Sequence, residues 1–497
     1  MKHMSSKDDL GARTGGRRKV FAVAIIGVLA LVAVACIDVN MVDRPEEPVV
    51  FTGAELPALT GAEPEEIVAF AHTRPNSVPT WTQIPVQVDE RTVVDFGSQP
   101  GSNATPGVDG TVYGTTAIGV TAVQYADAGT FVGADPDPTF DADDELVFMS
   151  DDAGGTPRKG EATEPAGVVP GSGLRVQVTD SIDESRSGYV FLFRSNGGLD
   201  PAAGRDYVDY DFNLTSGTYK ATYKRADGPN PETSLVTTEN YRVGLTDRWI
   251  ENQWRVDVGD STGVDILDGI KARFGLGTCG RSNATFADAE GAFIANIDGP
   301  VRAIRSYVGA NSGPLTQRTH VFYRSTMETR TNLRVHAIPG IMDFVDYSTD
   351  AVGMTYANST HSGGVPIDGA SDAISTAVPA WELVTGAQGS VMTAGVIDTA
   401  GVVPPGGTLD DIVDGFYRDE LNSPVQQCWG DPHFLGASGL NFTSAIPNTD
   451  PTAATFATFD ATRFVRFTAP GATTDDATTW ADGLETPLVR TVVPYTL

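Results

Sequence analysis

Cysteine is nearly absent from this chain, with three residues in 497, at positions 36, 279 and 428. That count excludes a disulfide scaffold, because no more than one bond can form within the chain. Lysine is scarce as well: seven lysines stand beside 27 arginines, and 34 basic residues face 64 acidic ones, for a net charge of −30. A surface of that sign excludes general nucleic-acid binding, which needs clustered cations against phosphate. Long apolar runs are missing except for residues 20–35, and sixteen residues fall short of a comfortable transmembrane helix. The sequence also lacks a repeat of fixed 20–50-residue period, βα alternation and long helical patterns, which disfavours propellers, solenoids and parallel α/β folds.

What is present begins with that apolar run. Arg17, Arg18 and Lys19 precede it and small residues close it, the pattern of an export signal. Ala33-Val34-Ala35-Cys36 resembles the lipobox of bacterial lipoproteins, departing from it at Ala33, where leucine is commoner. The resemblance implies that Cys36 is lipidated and becomes the mature N-terminus, anchoring the chain to a membrane. An ordinary A-x-A cleavage after Ala35 is the alternative. With Cys36 acylated, Cys279 and Cys428 remain as an even pair, expected to bond in an oxidising compartment. Loss of residues 1–35 removes six basic and two acidic residues and leaves 28 against 62, a net of −34. The expected location is the outer face of a bacterial membrane, the cell surface or the periplasm.

Residues 36–64 mix proline, glutamate and glycine and read as a tether. Beyond them, period-2 patterns dominate, as in residues 84–89 and 174–178, and the continuous apolar run 189–193 suits a strand buried on both faces. Residues 207–212 and 217–223 read as a hairpin. Helical candidates are short: 264–274, and 408–417 with Thr408 and Asp411 placed as a capping box. Many strands and few helices predict a mainly β fold, a large antiparallel β-sandwich architecture, divided into β-rich domains 65–260 and 261–497.

Four stretches carry candidate chemistry. Asp135, Asp137, Asp141, Asp143, Asp144 and Glu145 crowd carboxylates at spacings that suit Ca²⁺, although an EF-hand's glycine and terminal glutamate are missing. Residues 301–336 invert the overall charge, with six arginines, two histidines and the single acid Glu328. Here Arg302, Arg305, Asn311, Arg318, Arg324, Arg334 and His336 are candidate ligands for a carboxylate-bearing sugar, and His320 and Tyr323 candidate proton-exchanging catalysts. A hairpin turning near Glu328 would set His320 opposite His336 and Phe322 opposite Arg334. The competing reading pairs these arginines with the chain's own carboxylates. Residues 259–263, Gly-Asp-Ser-Thr-Gly, match the nucleophile-elbow pattern G-x-S-x-G, in a chain rich in glycine. Cys428-Trp429-Gly430-Asp431-Pro432-His433-Phe434 resembles the opening of von Willebrand factor D domains over seven residues, but the family's downstream motif and further cysteines are missing.

Together these features predict an exported, lipid-anchored surface protein that binds or processes extracellular polysaccharide, without nucleic acid as a partner. A structural or assembly lipoprotein, and a polysaccharide lyase or hydrolase acting on acidic glycans, are the alternatives.

Overall fold

The computed structural model describes residues 42–496, apart from 97–119, 131, 162, 217–230, 276–278, 289–290, 311–314, 424–427, 429–432 and 452. Among them the only α-helices are Asn283–Ala287 and Thr474–Glu485; antiparallel strands make up most of the rest. The mainly β architecture expected from the period-2 patterns is present. Leu174–Thr179 alternates buried with half-buried residues, while Ser187–Arg194, lying between Leu174–Thr179 and Ile67–Thr73, buries its central apolar run. A strand with neighbours on both edges and packing on both faces needs no polar side.

Two sheets matter for the site. A nine-stranded sheet runs in the order Ala292–Ile297, Ala303–Val308, Gln317–Phe322, Thr326–Asn332, Thr458–Thr468, Gly389–Ala400, Glu382–Gly386, Thr355–Asn358 and His361–Pro366. A four-stranded sheet has the order Leu267–Phe274, Ile341–Tyr347, Phe434–Phe442 and Val413–Glu420. On the outer face of the large sheet, Ala477 and Trp480 of the Thr474–Glu485 helix pack with Leu383 and Met392. The helix starts at a capping box in which Thr473 and Asp476 satisfy each other's backbone N–H groups.

Several expectations need correction. The segment read as a tether is built into the body from residue 42: Val42, Val49, Phe51, Leu56, Leu59 and Ala62 are buried, and Pro48–Thr52 pairs with Glu145–Met149. Its proline and glutamate content hid a short strand. Residue 260 does not divide the packing either. The largest core cluster takes Tyr125 and Val236 from one side and Val345 and Val465 from the other, and Val489–Pro494 pairs with Leu174–Thr179. The helix expected over 264–274 is the strand Leu267–Phe274, because pairing with Ile341–Tyr347 outweighs a weak local preference. Thr408 and Asp411 do form their box, but around a single 3₁₀ turn, Leu409–Asp411, that leads into the strand Val413–Glu420. Val208–Asp211 pairs with Ser234–Thr238; the partner expected at 217–223 lies outside the described residues. The hairpin in the basic segment turns at residues 323–326, not near Glu328, so His320 faces Thr329 and Phe322 faces Met327. Cys36 also lies outside the described residues, whereas the expected Cys279–Cys428 disulfide is formed.

Candidate functional site between two sheets

The basic segment folds inward. Side chains two residues apart share a sheet face, so the register alone aligns rows across the large sheet. One row runs Arg305, His320, Thr329, Arg463 and Gly395, and the next Tyr307, Arg318, Thr331, Ala461 and Ile397. A third passes from Phe322 through Met327, Val465 and Thr393 to Glu382. These rows face the interior, and their charges are met there by carboxylates from other strands.

Arg302 is fully buried between Asp89, at 2.7 Å, and Glu145, at 2.6 Å. Arg305 is buried against Glu232 and receives no solvent. Arg318 reaches Asp343 of the four-stranded sheet at 2.9 Å, and Arg463 reaches the other oxygen of the same carboxylate at 2.8 Å. His320 is buried between Tyr307, whose hydroxyl lies 3.0 Å from Nε2, and Thr329, 3.2 Å from Nδ1. Burial first, and then the nearby guanidiniums of Arg318, Arg305 and Arg463, hold His320 well below its ordinary pKa. Glu251 Oε1 also lies 3.3 Å from Nδ1, and the burial and the three cations favour the neutral imidazole. Tyr323 is 1% exposed, and burial pushes its hydroxyl up. Arg324 lies elsewhere, in a network with Asp151, Glu239 and Glu46. Arg334 donates to Gln317 and stacks over Phe96, His336 is exposed, and Asn311 falls outside the described residues. The candidate arginines and histidines therefore do not converge on one exposed cleft. Burying a guanidinium is costly without a hydrogen-bonded counter-charge, and this acid-rich chain provides one to Arg302, Arg305, Arg318 and Arg324.

The remaining candidates also resolve. In the acidic stretch, Asp144 accepts from the backbone N–H groups of Arg91 and Asp141, and Glu145 binds Arg91 and Arg302. Oxygens of Asp135, Asp137 and Asp141 accept from the N–H groups two residues on. Among the described residues no group of three or more His, Cys, Asp or Glu side chains is placed to hold a metal ion. Ser261 donates to the carbonyl of Val256 and leads into a strand rather than a helix, so it is no nucleophile elbow. Of the von Willebrand-like stretch, residues 429–432 lie outside the described residues.

What the fold does assemble is a cleft of about 120 Å³ between the two sheets. Its polar lining is Arg318, Asp343, Glu382, Arg463 and the hydroxyls of Thr329, Thr331 and Thr393; Phe274, Phe442, Phe459 and Leu440 form apolar walls. Val378, Pro379 and Leu409 are half-buried at its margin. Burial would raise the Asp343 carboxyl, but Arg318 and Arg463 outweigh it and hold the group below the usual carboxylate range. Glu382 has the opposite fate. Burial pushes it up to about 7, against weaker opposing effects from the Tyr356 hydroxyl, Arg463 and Ser438, and Tyr356 donates to it at 2.8 Å. Asp343, Glu382 and Arg463 were not among the sequence candidates. Each sits on the apolar parity of its strand, with Ile341 and Val345, Val384, or Val465 and Phe467, and a charge in such a position is the signal that would have found them.

No family model matches this chain, and no curated protein matches it. Among solved structures, one described as a putative aldose 1-epimerase from Escherichia coli K12 aligns with 52% of this chain and 100% of its own, at 8% identity and a TM-score of 0.27. A likeness that slight carries no argument about fold or activity.

Proposed function

We propose that this is an exported, lipid-anchored protein whose inter-sheet cleft binds a carboxylate-bearing sugar of an extracellular polysaccharide. One observation carries the reading: two guanidiniums, Arg318 and Arg463, face one firmly ionised carboxylate, Asp343, while Glu382 is held toward its neutral form. With Glu382 protonated the cleft is short of one negative charge, which a ligand carboxylate would supply through charge-assisted hydrogen bonds. Threonine hydroxyls beside phenylalanine walls suit a small polyhydroxylated ring. Binding rather than turnover is favoured because Asp343, held down by two cations, is a weak base and nucleophile. Export and the lipid anchor rest on residues 17–36.

Calorimetric titration at pH 7 with uronic-acid oligosaccharides and their neutral counterparts tests this. Binding of the uronates alone is expected, weakened about tenfold or more in Arg463→Met. Equal or absent binding of both series would overturn the proposal, and unsaturated, ultraviolet-absorbing products would reassign the cleft to a lyase. The internal pairing of Arg302, Arg305, Arg318 and Arg324 favours a second reading, a structural or assembly lipoprotein with no ligand.

A further inference from the structure

The four-stranded sheet carries a second polar group on the face away from the cleft. Phe274, Ile341 and Asp343 point to the cleft, so the alternation turns Lys271, Phe344 and Asp346 to the other side. Lys271 stands directly opposite Phe344, and Asp346 is two residues on from Phe344. A diagonal pair of this kind is within reach for a long side chain. Lys271 Nζ lies 2.6 Å from Asp346 Oδ2 and 2.5 Å from Asp268 Oδ2. The lysine and Asp346 side chains are each 2% exposed, and Asp268 is 36% exposed. Fully buried Phe344 lies beside them, next to Phe416 and Phe434. Of the four lysines beyond residue 35, Lys159 is exposed, Lys220 and Lys224 lie outside the described residues, and Lys271 is buried.

We infer that Lys271 and Asp346 condense to an intramolecular isopeptide bond that ties the first strand of this sheet to its neighbour, with Asp268 as the proton-transferring residue. A proton passes from the ammonium to the Asp346 carboxylate across their contact, leaving an amine and a carboxylic acid. The amine lone pair attacks Cγ of Asp346 and a nitrogen–carbon bond forms. Asp268 takes a proton from that nitrogen and returns it to the departing oxygen. The Cγ–O bond breaks, and one water leaves. No oxidant or further reagent is needed. Holding amine and carboxyl in contact replaces the unfavourable encounter of the two groups in water, and burial removes the solvent that would favour their charged forms. Burial also pushes Asp346 up to about 7, against the opposing effect of Lys271, toward the protonated form that the condensation requires.

The test is peptide mapping of the full chain after reduction of the disulfide. Trypsin does not cut at an acylated lysine, so a branched species joining residues 256–273 to residues 335–418 is expected. Its mass would be about 18 Da below the sum of its two arms, the mass of one water. Lys271→Arg keeps the charge and the ion pairs, and should abolish the branch. Recovery of the linear peptide 256–271 from the unaltered chain, with no branched species, would overturn the inference.

Discussion

Glu382→Gln isolates the energetic effect of the cleft's buried carboxyl. Its pKa in the fold is about 7, raised by burial from an ordinary 4.5. Between those values the folded chain holds a proton that the unfolded chain has lost, so this group makes stability fall as pH rises through the window. Below about pH 4.5 both states are protonated and the effect vanishes; above about pH 7 it is fully present. At about 1.4 kcal/mol per pKa unit, the ionised group costs the folded state about 3 kcal/mol at pH 8. Glutamine keeps the oxygen that accepts from the Tyr356 hydroxyl and carries no charge. Urea denaturation of both proteins at several pH values reads the difference directly. The variant should be near the parent at pH 4.5 and about 3 kcal/mol more stable at pH 8. A difference that does not change with pH would refute the assignment, and a variant less stable at pH 8 would show that the carboxylate is needed where it is.

Arg305→Met should destabilise the chain by about 3–5 kcal/mol, because it leaves Glu232 charged and buried, whereas the double variant with Glu232→Leu should recover much of that loss in a denaturation cycle. Arg324→Ala removes an ion-pair network nearer the surface and should cost about 1 kcal/mol or less in the same assay. Cys279→Ser with Cys428→Ser opens a loop whose ends are 149 residues apart, and the chain-entropy model gives a loss of about 5 kcal/mol, readable as a lower melting temperature.

The strands could be read from alternation because burial on one face writes itself into every second residue, as in Leu174–Thr179. The site could not be read the same way. The arginines of residues 301–336 stand out only because acids are missing from their own segment. Their partners Asp89, Glu145, Glu232 and Asp343 lie up to 213 residues away along the chain, and only the fold brings them near. One turn, closing at residues 323–326 instead of near Glu328, was enough to replace His336 by Thr329 as the neighbour of His320. Pro48–Thr52 shows a related limit, since five residues among prolines and glutamates are too few for a period to emerge, although their pairing with Glu145–Met149 is complete.

The strand Val489–Pro494 lies at the edge of a sheet whose other members are Leu174–Thr179, Ser187–Arg194, Ile67–Thr73 and Thr80–Ile84. A contact that joins residue 492 to residue 176 forms only after the whole stretch between them has been made. Folding therefore proceeds at high contact order and ends late, leaving the N–H and C=O groups along one side of Leu174–Thr179 open to any other extended segment in the meantime. Without Val489–Pro494 the edge of Leu174–Thr179 would stay bare, so this one short strand decides between a covered edge and a template for aggregation.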